Sequence, residues 1–495
     1  MNRLELDKDL KSIQEVRDLI KAAKRAQAEL ATFSQQKIDG IVKAVAKAAY
    51  DHRKELAKMA NEETGFGIYE DKILKNAFAA KSVYEGIKDM KTIGMISDDP
   101  VKKVTEYAVP VGVIAGLVPS TNPTSTVIYK SLIALKAGNA IVFSPHPNAL
   151  KCILAAVKVV QDAAVAAGAP EGCVSAMTTL TMQGTQELMS NKDTNLILAT
   201  GGNAMVHAAY SSGTPAIGVG PGNGPAYIER SADVAKAIGH IMDSKTFDNG
   251  TICASEQSII AEKVNIGAVR SELEKQGAYI LNEEEAQKLA KFILRPNGTM
   301  NPQIVGHSVQ QIAALSGLSI PADRRLIVAP ETHVGRKYPF SREKLAPILA
   351  LYTVENWQEA CDLSIEILSG EGAGHTMDIH TENKNVVREF GLRKPVSRLL
   401  VNCNGTLGGI GATTNLIPAL TLGCGAVGGS STGDNISPLN LFDVRRVAYG
   451  VSELSDLRKA EGQAENSSST VSDSSSFAKD ELVDNLVAQV LARLQ

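Results

Sequence analysis

The sequence predicts an α/β protein with two parallel-sheet domains, and three observations lead to this prediction. The chain has 495 residues, which is too long for one compact core and favours two or three domains. From Val111 onwards, short apolar runs alternate with Ala-rich helical stretches, as they do in parallel sheets with crossover helices. A second series of such runs follows Cys253, so we expect a second α/β domain of the same class.

The predicted elements begin with helices. From about Ile13 to Asp89 apolar residues recur at helical spacing, and Ser34 is a candidate N-cap for the helix that carries Ile38. The strands predicted for the first domain are "VGVIAGLVP", "NAIVFSP", "GCVSAM", "NLILATGG" and "PAYIE". Those predicted for the second domain are "QSIIAE", "RLIVAP", "ILALYTV" and "RLLVNC".

The composition changes near the end of the chain. Residues 458–476 are polar and Ser-rich and cannot bury enough apolar surface to order themselves, which predicts a linker. Residues 477–495 predict an amphipathic helix, and an isolated helix of this length is marginal in water, so its apolar face needs a partner. Two interpretations stay open: a helix docked on its own chain or in a weak coiled coil, and an addressing peptide. The apolar face consists of Val483, Leu486, Val487, Val490, Leu491 and Leu494.

Charge and cysteine content argue against several classes of protein. The 51 Lys and Arg residues and the 54 Asp and Glu residues give a net charge of −3, so no basic field favours nucleic acid or an anionic membrane as a partner. The N-terminus shows no apolar targeting segment, and no apolar stretch is long enough to span a bilayer. The six cysteines lack C-x-x-C spacing, so we expect no metal site, no disulfide framework and reduced thiols in a cytoplasmic protein.

One of two glycine-rich segments is a candidate for cofactor binding. Residues 423–428 match G-x-G-x-x-G, but a loop-like stretch follows them, whereas a dinucleotide fingerprint needs a helix there. In "LILATGGNAMV" a predicted strand leads into Thr200, Gly201 and Gly202, and a helical stretch follows. Backbone N–H groups at such a turn can bind a phosphate or pyrophosphate.

Cys253 stands in an unusual setting for a structural thiol. It lies in "TFDNGTICASEQS", among small, polar, turn-prone residues, whereas a structural cysteine usually has apolar neighbours. Asn122, in "PSTNPTST", is by composition alone a turn former. The local patterns therefore leave both an active and a structural role open for these two residues.

Six segments, taken together, carry a family resemblance. They are "PSTNPTST" (119–126), "ATGGNAMV" (199–206), "GVGPGNGP" (218–225), "DNGTICASEQ" (248–257), "EKLAPILA" (343–350) and "TLGCG" (421–425). In order and spacing they resemble the CoA-acylating branch of the aldehyde dehydrogenase superfamily from about residue 20 to residue 450. The likeness is greatest to the propionaldehyde and acetaldehyde dehydrogenases of bacterial microcompartments.

The resemblance implies roles for individual residues. Cys253 would be the nucleophile, and its backbone N–H and the Asn122 side chain would stabilise the oxyanion of the thiohemiacetal. Glu343 resembles the glutamate that binds the nicotinamide ribose. Ser144, Pro145 and His146 stand where many relatives have a Lys, so NAD is expected and NADP is not excluded. The implied cofactor-binding set is Pro119, Ser144, His146, Thr200, Gly201, Gly202 and Glu343.

The resemblance also indicates what attacks the acyl-enzyme. Hydrolytic members carry a Glu that activates water, and Gly218 stands at that position here. No Asp or Glu occurs from Gly201 to Ile228. A thiol, with a pKa of about 8.5, supplies a nucleophile without such a base, so coenzyme A is the expected acyl acceptor. Residues expected near the aldehyde and CoA are Gly218, Gly220, Gly222 and Ile252, whereas His375, which resembles a recurrent His of acylating members, is assigned no role.

The resemblance further implies a domain organisation and a cellular setting. We expect a cofactor-binding domain over 1–228, a catalytic domain over 229–430, and an oligomerisation segment near 97–108 that the chain rejoins over 431–457. A homo-oligomer follows, and 477–495 resembles an encapsulation peptide that binds shell or cargo proteins of a cytoplasmic bacterial microcompartment. The expected activity is CoA-acylating oxidation of propionaldehyde or acetaldehyde. The alternatives are a hydrolytic or phosphate-dependent semialdehyde dehydrogenase and a non-catalytic microcompartment scaffold.

Overall fold

The described chain, residues 7–460 of a computed structural model, opens with helices, as predicted. The Ser34 hydroxyl accepts a hydrogen bond from the backbone N–H of Lys37 at 3.3 Å and caps the second helix. The predicted C-terminal helix and nearly all of the predicted linker lie outside the described residues. The first elements are α1 (Lys8–Leu30), α2 (Gln35–Asp51), α3 (Arg53–Thr64), α4 (Tyr69–Ala77) and α5 (Val83–Ile87), followed by strands β1 (Gly94–Asp99) and β2 (Val104–Pro110).

A five-stranded parallel sheet follows. Its strands are β3 (Val113–Leu117), β4 (Ala140–Ser144), β5 (Val174–Ala176), β6 (Leu196–Thr200) and β7 (Ala216–Val219), with helices α6 (Pro123–Lys136), α7 (Leu150–Ala166), α8 (Met182–Ser190) and α9 (Asn203–Tyr210). All residues of β3 and β4 are buried, which explains their continuous apolar sequences. In the strand order β5-β4-β3-β6-β7, the chain adds β4 and β5 on one side of β3 and then adds β6 and β7 on the other side. The order of addition therefore reverses between β3 and β6. In open α/β sheets, ligands bind at the carboxyl ends of strands at such a reversal.

A seven-stranded parallel sheet forms the second α/β part. Its strands are β8 (Pro225–Ile228), β9 (Ser258–Glu262), β10 (Ala278–Ile280), β11 (Leu326–Pro330), β12 (Ile348–Val354), β13 (Gly374–His380) and β14 (Val396–Val401), in the order β10-β11-β12-β9-β8-β13-β14. Strand β8, predicted with the first series, pairs with β9 and β13 and so belongs to this sheet. Its helices are α10 (Val234–Thr246), α11 (Ile266–Lys275), α12 (Glu283–Ile293), α13 (Val309–Ser316), α14 (Trp357–Gly370), α15 (Lys384–Arg393) and α16 (Gly405–Gly409).

The last strand, β15 (Phe442–Ala448), completes a three-stranded sheet in the order β1-β2-β15. The described chain divides into two compact units. The larger contains residues up to Ile96 and Tyr107–Val444, and thus both parallel sheets; the smaller contains Ser97–Glu106 and the described residues from Arg445. Within residues 7–460, no helix combines the length and apolarity needed to cross a membrane.

Candidate active site

Cys253 lies on the irregular segment that connects α10 to β9. Just before it, Asp248 and Asn249 adopt left-handed backbone conformations with φ of 48° and 54°, which Asp and Asn tolerate better than other residues. The Asp248 carboxylate accepts a hydrogen bond from the backbone N–H of Ile68 at 2.6 Å, and Asn249 donates its side-chain amide to the carbonyl of Gly306 at 2.9 Å. These contacts hold the turn that presents the thiol.

His375 contacts the thiol directly, although sequence analysis gave it no role. It is the second residue of β13 and is fully buried, and its Nε2 lies 3.2 Å from the Sγ of Cys253. Its Nδ1 lies 3.1 Å from the Oγ1 of Thr376. The resemblance of "GAGHTMDIH" to a family segment was the one available signal for this residue.

Burial sets the charge state of this pair. Burial, with the nearby Arg398 guanidinium, lowers the pKa of His375 to about 3. Burial, with the Glu343 carboxylate, raises the pKa of the Cys253 thiol to about 12. At neutral pH the pair therefore consists of a thiol and an uncharged imidazole rather than a thiolate and an imidazolium.

Asn122 faces the same segment from the beginning of α6. Its side-chain Nδ2 donates to the carbonyl of Thr251 and to the hydroxyl of Thr121, both at 3.2 Å. Its Oδ1 accepts from the Nζ of Lys75 at 2.5 Å. Because an ammonium group can only donate, Lys75 fixes the amide with its oxygen towards α4 and its nitrogen towards the cysteine segment. The end of the amide that can donate thus faces the cysteine segment, where its two protons are engaged by the Thr251 carbonyl and the Thr121 hydroxyl.

Lys75 belongs to a buried ionic cluster that sequence analysis did not find. Its ammonium group is paired with the Asp248 carboxylate and donates to the Thr251 hydroxyl at 2.8 Å, and Lys72 reaches the same carboxylate at 3.1 Å. Burial lowers the pKa of Lys75 to about 8. Burial alone would raise the pKa of Asp248, but the two ammonium groups hold it below its ordinary value.

A cavity of about 890 Å³ brings most of the predicted site residues together. It extends from Cys253 past the carboxyl ends of β3 and β6 to the amino end of α9. The Thr200 hydroxyl is buried here and has no hydrogen-bond partner among the described residues. An unpartnered hydroxyl beside a helix N-terminus suits a phosphate-bearing ligand, so this end of the cavity fits the phosphates of a dinucleotide. The predicted residues that line it are Pro119, Asn122, Ser144, His146, Thr200, Gly201, Gly202, Gly220, Cys253 and Glu343.

Three predicted residues lie beside the cavity rather than in its wall. Ile252 is a buried core residue. Gly218 lies in β7 beside α9, and a Cβ added to Gly218 would lie 2.7 Å from the Cγ1 of Val206. A Cβ on Gly222 would lie 1.7 Å from the carbonyl oxygen of Cys253, so only glycine fits there. The glycine-rich segment therefore packs directly against the backbone of the cysteine.

Glu343 is the one carboxylate that lines the cavity among the described residues. Its Oε1 accepts a hydrogen bond from the backbone N–H of Gly222 at 2.8 Å. Burial raises the pKa of Glu343 to about 8, so this carboxyl group is mostly protonated at neutral pH.

Fold and site together define an α/β protein in which a cysteine faces a cavity at the carboxyl ends of parallel strands. The chain belongs to the aldehyde dehydrogenase family, whose model matches residues 9–291. It is 43% identical over 442 residues to the bifunctional aldehyde-alcohol dehydrogenase AdhE of Escherichia coli K12, covering 88% of this chain and 50% of that protein. The chain thus spans about half the length of the curated relatives it matches first.

Two solved structures extend the comparison. An acetylating aldehyde dehydrogenase from Geobacillus thermoglucosidasius is 54% identical with a TM-score of 0.89, covering 91% of this chain and 99% of that one. A propionaldehyde dehydrogenase from the Clostridium phytofermentans fucose utilisation bacterial microcompartment is 27% identical with a TM-score of 0.80, covering 89% and 98%. The predicted fold class and the resemblance to the acylating branch are confirmed.

Proposed function

We propose that this protein is a CoA-acylating aldehyde dehydrogenase that converts a short aliphatic aldehyde, NAD⁺ and CoA into acyl-CoA and NADH. One observation carries the proposal: among the described residues, the cavity around Cys253 holds no carboxylate other than Glu343. Glu343 is mostly protonated at neutral pH and is engaged by Gly222. Gly218 stands where the resemblance places the water-activating carboxylate of hydrolytic members, so that base is missing from the described cavity.

In the first half-reaction the Cys253 thiol loses its proton to solvent, and the thiolate adds to the aldehyde carbon, breaking the carbonyl π bond and forming the oxyanion of a thiohemiacetal. The charge on its oxygen is stabilised by the Nδ2 of Asn122 and by the backbone N–H of Cys253. A nicotinamide held in this cavity would supply the acceptor for the hydride that leaves when the oxyanion collapses to a thioester. Thr200, Gly201 and Gly202 would hold the pyrophosphate, and Glu343 would meet the ribose beside the nicotinamide.

In the second half-reaction a thiol replaces the enzyme sulfur. The CoA sulfur attacks the thioester carbon and the Cys253 sulfur leaves, so the energy of the thioester is retained in acyl-CoA. A thiol with a pKa of about 8.5 supplies enough thiolate near neutrality to attack without a general base. Propionaldehyde and acetaldehyde are the proposed substrates, supported by relatives named for acetylation and for propionaldehyde.

The proposal includes a setting for the enzyme. We propose a homo-oligomer formed through the segments near 97–108 and 431–457, and targeting of 477–495 to shell or cargo proteins of a cytoplasmic microcompartment. A microcompartment enzyme among the similar structures supports this setting. Cosedimentation of the full chain with purified shells, compared with a chain truncated after residue 460, tests the role of the C-terminal segment. Equal cosedimentation would assign encapsulation to another part of the protein.

The decisive assay is NADH formation from propionaldehyde and NAD⁺, with and without CoA. We expect continuous turnover only with CoA, and without it no more than one NADH per Cys253. Continuous turnover without CoA would support the hydrolytic alternative, and a dependence on phosphate would support the phosphate-dependent one. Cys253→Ala should abolish turnover. A purified wild-type chain that forms no NADH under any of these conditions would support the alternative of a non-catalytic scaffold.

A further inference from the structure

The imidazole that contacts Cys253 is itself held by a threonine and a buried arginine. The Thr376 Oγ1 lies 3.1 Å from the Nδ1 of His375 and accepts a hydrogen bond from the Nε of Arg398, also at 3.1 Å. The Nη2 of Arg398 donates to the backbone carbonyl of His375 at 3.0 Å. Thr376 and Arg398 are both buried. The guanidinium thus fixes both the backbone and the side-chain contact of His375.

The remaining donors of Arg398 are also occupied by neutral groups. Nη2 donates to the carbonyl of Gly423 at 2.6 Å, and Nη1 donates to the carbonyl of Gly433 at 3.0 Å and to the Oδ1 of Asn435 at 3.3 Å. Within residues 7–460, no carboxylate lies at ion-pair distance from this guanidinium. Arg398 therefore keeps its full positive charge close to the Nδ1 side of the imidazole.

Hydrogen counting determines which imidazole nitrogen carries the proton. The hydroxyl of Thr376 has one proton and two lone pairs, and Arg398 already donates to one of those lone pairs. In the described chain, the Nδ1 of His375 is the one acceptor in reach of that hydroxyl proton. If Nδ1 carried a proton, the buried hydroxyl would lack an acceptor, which is unfavourable.

We propose that Thr376 and Arg398 are positioning residues that hold His375 as the neutral tautomer whose Nε2–H donates to the sulfur of Cys253. The assignment rests on the proposed function only in that Cys253 is the nucleophile. It reverses the arrangement of a carboxylate-backed triad, in which the acid holds a proton on Nδ1 and leaves Nε2 as a base. His375 then donates a hydrogen bond that stabilises the Cys253 thiolate, both as attacking and as leaving group. In this role His375 does not accept the proton of the Cys253 thiol.

The charges around the pair agree with this assignment. Burial and the Arg398 charge keep the pKa of His375 at about 3, so the imidazole stays uncharged across the range of an activity assay. The groups that act on the thiol are Glu343 and Cys424, which raise its pKa, and Arg398, which lowers it. A hydrogen bond from Nε2–H adds to the small stabilisation of the thiolate that Arg398 provides.

The test compares a donor with a base at position 375. His375→Gln keeps an N–H donor near the sulfur but cannot accept a proton, whereas His375→Ala loses both functions. The readout is the rate of Cys253 alkylation by iodoacetamide in the full chain across pH, followed at that cysteine by mass spectrometry. We expect His375→Ala to slow alkylation at neutral pH by about tenfold or more, since a hydrogen bond to a charged group is lost, and His375→Gln to retain most of the rate.

Thr376 provides the second arm. Thr376→Val removes the hydroxyl at nearly constant volume and should move the alkylation profile to higher pH, whereas Thr376→Ser should restore most of the wild-type profile. Equal losses in His375→Gln and His375→Ala, or a wild-type profile in Thr376→Val, would overturn the tautomer assignment. Because alkylation needs neither aldehyde nor CoA, a failure of the proposed function would appear in the turnover assay and not here.

Discussion

Two buried cations flank Cys253, and the protein balances their charges in different ways. Lys75 is paired with a carboxylate, Asp248, and uses a further donor to hold the amide of Asn122. Arg398 has no carboxylate at ion-pair distance within the described chain and gives its donors to neutral oxygens around His375. The charge of Lys75 is thus neutralised by an adjacent carboxylate, whereas Arg398 has no ion-pair partner among the described residues.

The difference teaches what each cation can do for the thiol. A neutralised cation acts mainly through geometry, so Lys75 determines where the amide nitrogen of Asn122 points. A cation without an ion-pair partner also acts through its field, because buried charges are poorly screened. Arg398 therefore both orients His375 and contributes to the low pKa of its imidazole. The Asn122 side of the site is fixed by a salt bridge, whereas the His375 side is influenced by an unpaired buried charge.

The largest expected effect is on the free energy of unfolding, and it distinguishes the Lys75 side of the site from the Arg398 side. Asp248→Asn leaves Lys72 and Lys75 buried without a carboxylate, and removing one partner of a buried ion pair costs about 3–5 kcal/mol. The pKa of Asp248 is lowered in the fold, so its contribution is present above its ordinary pKa of about 3.9 and is lost as pH falls through the folded value. Urea unfolding of wild type and Asp248→Asn should therefore differ strongly at pH 7 and at pH 5, and the difference should shrink only as the pH falls below about 3.9.

Arg398→Gln is the comparison variant for this measurement. Arginine stays protonated over the whole range, but its charge helps to hold the pKa of His375 at about 3, so in Arg398→Gln this imidazole can take up a proton and the cost should begin to shrink at a pH above about 3.9. A cost of Arg398→Gln that does not change with pH would mean that the guanidinium does not act on His375 through its charge.

The next effect concerns turnover. Lys75→Met removes the group that orients Asn122, and loss of an oxyanion donor lowers kcat by about 100-fold or more. Lys72→Met is the control, because Lys72 shares Asp248 but donates to the carbonyl of Thr121 instead of the Asn122 side chain. We expect the control to lose stability with at most about a tenfold loss in kcat. Equal losses of kcat would show that the cluster acts through folding alone.

The sequence could predict the elements and residues whose role is visible locally. The buried strands β3, β4, β6, β9, β11 and β12 are continuous apolar runs, and the turn after β6 shows its glycines. Cys253, Asn122 and Glu343 lie in segments with a recognisable pattern. The family resemblance, rather than hydrophobic periodicity, indicated that these three residues belong to one site. Their roles stay predictions.

The missed residues share a physical reason. Lys72 and Lys75 lie in "YEDKILKN", which has the pattern of a solvated helix face, and they become buried through a carboxylate more than 170 positions away. His375 and Thr376 lie in β13, whose polar sequence "GHTMDIH" does not resemble a strand that is buried throughout. Arg398 is the first residue of the predicted strand "RLLVNC" and lies inside the observed strand β14. Burial of polar groups depends on distant partners, so local patterns do not reveal it.

The smallest effect tests the electrostatics of the thiol itself. The Glu343 carboxylate adds to burial in raising the pKa of Cys253, and Glu343 is ionised above a pH of about 8, where the thiol titrates. Glu343→Gln should therefore lower the midpoint of Cys253 alkylation by about one pH unit, measured without cofactor. Glu371→Gln is the control, because Glu371 accepts the backbone N–H of Glu343 but does not line the cavity, and it should leave the midpoint unchanged.

The outcome would divide the two causes of the raised thiol pKa. A lower midpoint in Glu343→Gln would mean that the cavity carboxylate restrains the nucleophile until a ligand engages it. In that case Arg398 and Glu343 act on the sulfur with opposite sign from two sides of the site. An unchanged midpoint would mean that Glu343 does not contribute to the raised pKa of the thiol, and that burial is its main cause.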